Sequence, residues 1–112
     1  MDMQVAEIAQ GVARVTLVGR LDIQGAAQID MGFSAVAGSN RGIVVDMSEV
    51  TFLASIGIRT LVLGAKTMQR RGGTLVLLSP MADVEKVLEV TGITDLLPIL
   101  HDEAAAIAAV TA

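Results

Sequence analysis

Ser55 is the residue whose surroundings promise the most chemistry. It lies in the stretch Asp46 to Arg59, DMSEVTFLASIGIR, where a short β-branched run gives way to a helical pattern, so its hydroxyl falls near the N-cap of that helix. Two uses suit a hydroxyl there. As a cap it accepts a hydrogen bond from an orphan backbone N–H and stabilises the helix by about 0.5–2 kcal/mol. As a phosphate acceptor it stands where orphan N–H groups and the positive helix end accommodate the added charge, with Gly57 leaving room for close approach of another chain. Spacing alone leaves both uses open.

Other chemistries find little support. The phosphate-loop, dinucleotide, nucleophile-elbow and zinc-protease signatures are absent. With no cysteine and one histidine, His101, there is neither a thiolate nucleophile nor a multi-histidine metal site. A hydrolase would need Ser55 together with His101, and no oxyanion or base constellation accompanies them; His101 reads as a surface or capping residue. The carboxylates Asp83/Glu85 and Asp102-Glu103 are placed as first-turn complements to helix dipoles. Twelve acids against 8 basic residues give a net charge of −4, which argues against binding a phosphate backbone, so nucleic acid is not an expected partner. No stretch approaches the roughly 18–20 uncharged apolar residues of a spanning helix. The opening MDMQVAEIAQ lacks the basic and apolar blocks of a secretory signal. No membrane insertion is expected, and the expected location is the cytoplasm.

The elements that must hold Ser55 follow from periodicity. The 112 residues suit one domain over residues 1–112. Val5 to Ile8 and Val12 to Leu17 alternate around Gln10-Gly11, which predicts an antiparallel hairpin. After Gly19-Arg20-Leu21-Asp22, with Asp22 as a helix cap, Ala26, Ile29, Phe33, Val36 and Ala37 recur at helical spacing up to Gly38 and Asn40. Gly42 to Asp46 is apolar on both parities, the mark of a central strand covered on both faces. A second helix carries Ile58, Leu61, Val62, Ala65 and Met68 and closes at Arg70 to Gly73. Thr74 to Leu78 is another buried strand, Ser79-Pro80 reads as the N-cap and N1 of a third helix, and a short apolar segment, Leu97 to Leu100, precedes a last helix from Glu103 to Ala109. Aromatics make up only 2 % of the chain, so Val, Ile, Leu, Met and Ala build the core, with Phe33 and Phe52 as its rings. The expected fold is α/β: a mixed, mostly parallel sheet opened by a hairpin, with about four helices packed on it.

The stretch from Gly42 to Lys66, with Gly19-Arg20-Leu21-Asp22, resembles the STAS domain of anti-sigma-factor antagonists. That family's signature positions read here Asp46, Met47, Ser48, Val50, Phe52, Leu53, Ala54, Ser55, Ile56, Gly57 and Ile58, and the order of elements fits the family throughout. Two positions depart from it. Ala54 stands where the family has an aspartate before the acceptor serine, and Ile56 where it has a hydroxyl residue after it.

The resemblance implies that Ser55 is the phosphoacceptor and that Asp22, Ser55, Ile56, Gly57 and Arg59 lie on the partner-binding surface. Asp22 reads equally as a cap and as a partner contact, and Arg59 as a solvated side chain or a contact for an acidic partner or the phosphate. The implied partner is an anti-sigma factor that is also a serine kinase, bound by the unphosphorylated chain and released on phosphorylation, with a serine phosphatase to reset it. This is the partner-switching arrangement of bacterial stress responses. On that reading the chain is no enzyme and needs no cofactor. The alternative is a STAS subunit of a transporter or sensory complex that binds without phosphorylation.

Overall fold

The computed structural model describes residues 1–111. Its elements run β1 (Asp2–Ala9), β2 (Val12–Leu21), α1 (Ile23–Ser39), β3 (Gly42–Leu53), α2 (Ser55–Arg70), β4 (Thr74–Leu78), α3 (Ala82–Val90), β5 (Ile99–Leu100) and α4 (Glu103–Thr111). The sheet order is β1-β2-β3-β4-β5, antiparallel between β1 and β2 and parallel thereafter. The element order and the mixed sheet agree with the sequence pattern.

Because each crossover moves one strand further in the same direction, crossovers of one hand place their helices on one face. That face holds the main core. Val15, Leu17, Ile43, Val45, Leu75 and Leu77 from the strands meet Ile29 and Phe33 of α1, Leu61 and Met68 of α2, and Val84 and Leu88 of α3. The opposite strand parity, Val12, Val44, Val76 and Leu78, is covered by Ala106 and Val110 of α4. Both parities of Ile43 to Val45 are thus apolar because helices cover both faces. Helix α4 is tied down by the Arg14–Glu103 ion pair and capped by Asp102, whose carboxylate accepts the Ala105 N–H at 3.0 Å.

Three local expectations are corrected. Strand β3 does not end at Asp46 but continues to Leu53. Its pairing with β4 stops at Asp46↔Leu78, while pairing with β2 persists to Leu21↔Leu53. The Asp46 carboxylate accepts from the backbone and hydroxyl of Ser48, at 3.0 and 2.7 Å. That local turn coincides with a register shift, so Asp46-Met47-Ser48 is a bulge rather than a stop. Second, Ser79-Pro80 does not start α3: Ser79 is in the left-handed region at φ 51 and its N–H donates to the Leu100 carbonyl at 2.8 Å, so the helix begins after Met81. Third, Phe52 is not a core ring. It is 41 % exposed, whereas Phe33 is fully buried.

Candidate functional site

The site forms where β2 and β3 end side by side. Leu21 pairs with Leu53, and one residue later the Ala54 N–H donates to the Leu21 carbonyl at 3.0 Å. Ala54 has the extended backbone of an N-cap (φ −93, ψ 165) and its carbonyl accepts from Gly57 and Ile58, but its methyl supplies no side-chain cap. Ser55 is therefore the first residue of the helix, not its cap. Its side chain is exposed, and among the described residues its hydroxyl has no hydrogen-bond partner. No acid lies in the first turn of α2 to offset the positive helix end.

Two glycines bring both helix starts onto the end of β2. A Cβ on Gly25 would lie 2.1 Å from the Arg20 carbonyl oxygen, and one on Gly57 would lie 2.5 Å from Leu21 Cγ and 2.7 Å from its carbonyl oxygen. Gly57 is buried. The space it leaves is filled from within by Leu21, which corrects the expectation that it opens room for another chain.

Asp22 caps α1: its Oδ1 accepts the Gly25 N–H at 2.9 Å, while its Oδ2 accepts from Arg20 Nε at 3.4 Å. The Gly25 N–H, helped by Arg20, holds the Asp22 carboxyl below the usual carboxylate range. The Arg20 guanidinium lies 4.3 Å from the centre of the Phe52 ring, close enough for cation–π attraction. Arg20 and Phe52 are register partners, so this pair stands on the strand ends that carry Asp22 and Ser55.

Beyond Ser55, a trough runs along the line where α1 and α2 meet. One hollow of about 370 Å³ is lined by Ile23, Asp30, Ile56, Arg59, Thr60 and Leu63, among others. A second, of about 390 Å³, lies between Met31, Phe33, Leu63 and Gly64. Between the helices the Phe33 ring rests on Gly64, where a Cβ would come within 2.4 Å of the ring. Asp22, Ser55, Ile56 and Arg59 thus gather at one end of the molecule, with Arg59 exposed and Ile56 half-buried in the trough wall.

His101 is not part of this group. Leu78 aligns with Asp46 on β3 and with Leu100 on β5, so His101 sits level with the middle of β3 and two strands to the side. Strand spacings put it roughly 20 Å from Ser55, and its Nε2 is 2.6 Å from Glu85 Oε1. Among the described residues no cluster has the acidic, His or Cys groups to hold a metal ion, and no helix is long and apolar enough to cross a membrane.

Arg20 and the exposed apolar residues Ile23, Met31 and Leu63 escaped the sequence reading. Helix α1 is so rich in alanine and glycine that its exposed apolar positions do not stand out against its buried ones. Arg20 carried a signal that went unused, since it directly precedes Leu21-Asp22 of the motif.

A mixed sheet with three helices on one face, one on the other, and a bare serine opening the second helix is the architecture of the STAS domain, and the chain belongs to that family. The family model described as Mlab, STAS domain matches residues 5–98. The chain is 29 % identical over 109 residues to BtrV of Bordetella bronchiseptica, a candidate anti-sigma factor antagonist, covering 97 % of this chain and 88 % of BtrV. Its fold is similar to the Bacillus anti-sigma factor antagonist SpoIIAA. The TM-score is 0.79 for the unphosphorylated form, at 22 % identity over 93 % of this chain and 92 % of that one. For the phosphorylated form it is 0.73, at 21 % identity over 93 % and 96 %. The fold is also similar to part of the murine anion transporter Slc26a9, with a TM-score of 0.74 at 22 % identity, covering 91 % of this chain but 18 % of the transporter.

Proposed function

We propose that this chain is an anti-sigma-factor antagonist that binds an anti-sigma factor with serine-kinase activity while unphosphorylated, and is released when that partner phosphorylates Ser55. The reading rests above all on the exposed, unengaged hydroxyl of Ser55 at the first position of α2. Likeness to BtrV and SpoIIAA supplies the partner class. ATP and magnesium belong to the kinase; Ser55 Oγ attacks the γ-phosphorus, ADP leaves, and the hydroxyl proton passes to the partner's base. The chain itself is substrate and ligand. A phosphoserine carries about −1.5 to −2 charges, and burying that charge unpaired in a docking face exceeds the 1.4 kcal/mol that costs each tenfold in affinity. A serine phosphatase restores binding.

The test is affinity for the cognate anti-sigma factor, measured with melting temperature on the same samples. Ser55→Ala keeps both, because Ser55 caps nothing, and Ser55→Asp keeps its fold but binds at least tenfold more weakly. Equal affinity of the two variants would refute the switch. A second reading, a STAS subunit of a transporter, draws on the likeness to Slc26a9 and on the absence of the family's aspartate at Ala54. It gains if the chain co-purifies with a permease or transport ATPase in a complex indifferent to Ser55→Asp.

A further inference from the structure

Charge on this chain is segregated by helix. Helix α2 carries Arg59, Lys66 and Arg70 and no acid, and Arg71 follows directly, in a chain whose net charge is −4. At 100° per residue, Ser55, Lys66, Arg59, Arg70 and Leu63 fall within about 80° of one another around the helix, and all five are exposed. Among the described residues none of these cations is in an ion pair. The arginines that are paired, Arg14 and Arg20, lie elsewhere, and Arg70 Nε donates only to the Lys66 carbonyl.

Helix α1 is the opposite in kind. It has no cation and one acid, Asp30, which lines the trough and makes no ion pair with Arg59. Its exposed side chains include Ile23, 75 % exposed, and Met31, 87 % exposed. A cationic ridge therefore runs beside an uncovered apolar trough, with Leu63 belonging to both.

We propose that this face docks an amphipathic helix of a protein partner whose apolar ridge fills the α1–α2 trough and whose flank over α2 is acidic. Unpaired cations on an otherwise acidic molecule complement a negative surface, and a trough between two helices takes Leu-sized side chains at helical spacing. The proposal rests on the reading of the chain as a docking module and not on phosphorylation. It also accounts for the direction of the switch. A phosphate on Ser55 stands one turn from Arg59 at the head of the ridge, offsets that charge and repels an acidic flank.

The probes are two fluorescein-labelled helical peptides of about 18 residues with the same leucine ridge, one flanked by glutamates and one by lysines, and vesicles of anionic phospholipid. Anisotropy is measured at about 10 and 100 mM salt, where the Debye length falls from about 30 to about 10 Å, and amide shifts are mapped by NMR on the full chain. The acidic peptide is expected to bind at least tenfold more tightly than the basic one and to lose affinity with salt. Its shifts should centre on Ile23, Arg59, Leu63 and Lys66. Lys66→Glu should weaken it about tenfold with an unchanged melting temperature. No saturable binding of the acidic peptide, equal binding of both, or shifts on another face would overturn the proposal, as would vesicle binding that persists while the acidic peptide fails. If the acidic peptide binds wild type and Ser55→Asp alike, the docking face stands and the phosphorylation switch falls.

Discussion

Replacing Gly57 by alanine tests how the site is held, because the position has a helical backbone but no room. The new Cβ would stand 2.5 Å from Leu21 Cγ and 2.7 Å from the Leu21 carbonyl oxygen, against about 3.5–4.0 Å for carbon atoms in contact. The first neighbour is a fully buried side chain and the second is backbone already holding the Ala54 N–H. Neither can yield freely, so α2 must lift by about 1 Å. Overpacking of this kind costs about 1–3 kcal/mol, while exchanging glycine for alanine in a helix returns at most about 1 kcal/mol. With the contacts this short the cost falls in the upper half of that range, and the net loss of about 1–2 kcal/mol lowers the melting midpoint by roughly 4–8 °C in a domain of this length. Circular dichroism melts and urea titrations read this directly, with Gly38→Ala as control, since a Cβ on Gly38 meets nothing within 4 Å and should stabilise slightly. A Gly57→Ala protein as stable as the control would refute the packing argument and free Gly57 for the partner-facing role that the sequence suggested.

Two more predictions concern the helix starts. Ala54→Ser supplies the side-chain cap that α2 lacks and should stabilise by about 0.5–2 kcal/mol in the same melts; an unchanged midpoint would mean that the first-turn N–H groups are satisfied without it. The hydrogen bond from the Gly25 N–H holds the Asp22 carboxyl below the usual carboxylate range in the folded state. It therefore contributes stability above pH 4 that fades as pH falls through the folded pKa. Asp22→Ala should be less stable than wild type near neutral pH, with the gap closing in acid. A gap independent of pH in urea titrations would count against the charged cap.

How far the sequence could be read depended on whether a residue's role was local. The Asp22 cap, the buried face of α2 and the two-sided burial of Ile43 to Val45 are set by neighbours in the chain, and periodicity exposed them. The end of β3 is not: Asp46-Met47-Ser48 has the chemistry of a turn, and only pairing with β2 reveals it as a bulge inside a longer strand. That shift makes Ala54 the cap and Ser55 the first helical residue. Phe52 looked like core because it is aromatic, but its ring stands at the surface beside Arg20, its partner across the strands. Ser79-Pro80 has the residue types of a helix start, yet the Ser79 N–H is taken by β5, which lies far along the chain. The trough was invisible for a related reason, since its walls come from helices whose closeness is decided by Phe33 and Gly64 rather than by any motif.

That aromatic contact makes the interhelical gap a fixed gauge. With a ring seated directly on bare backbone, α1 and α2 cannot slide together or apart without dislodging a fully buried side chain, so the two hollows keep a constant separation. Any visitor must present knobs at a matching interval, and the residue enforcing that interval lies mostly beneath the surface it calibrates. Selectivity of this surface is thereby open to change through Gly64, by a substitution that widens the gap between the helices from the floor of the second hollow.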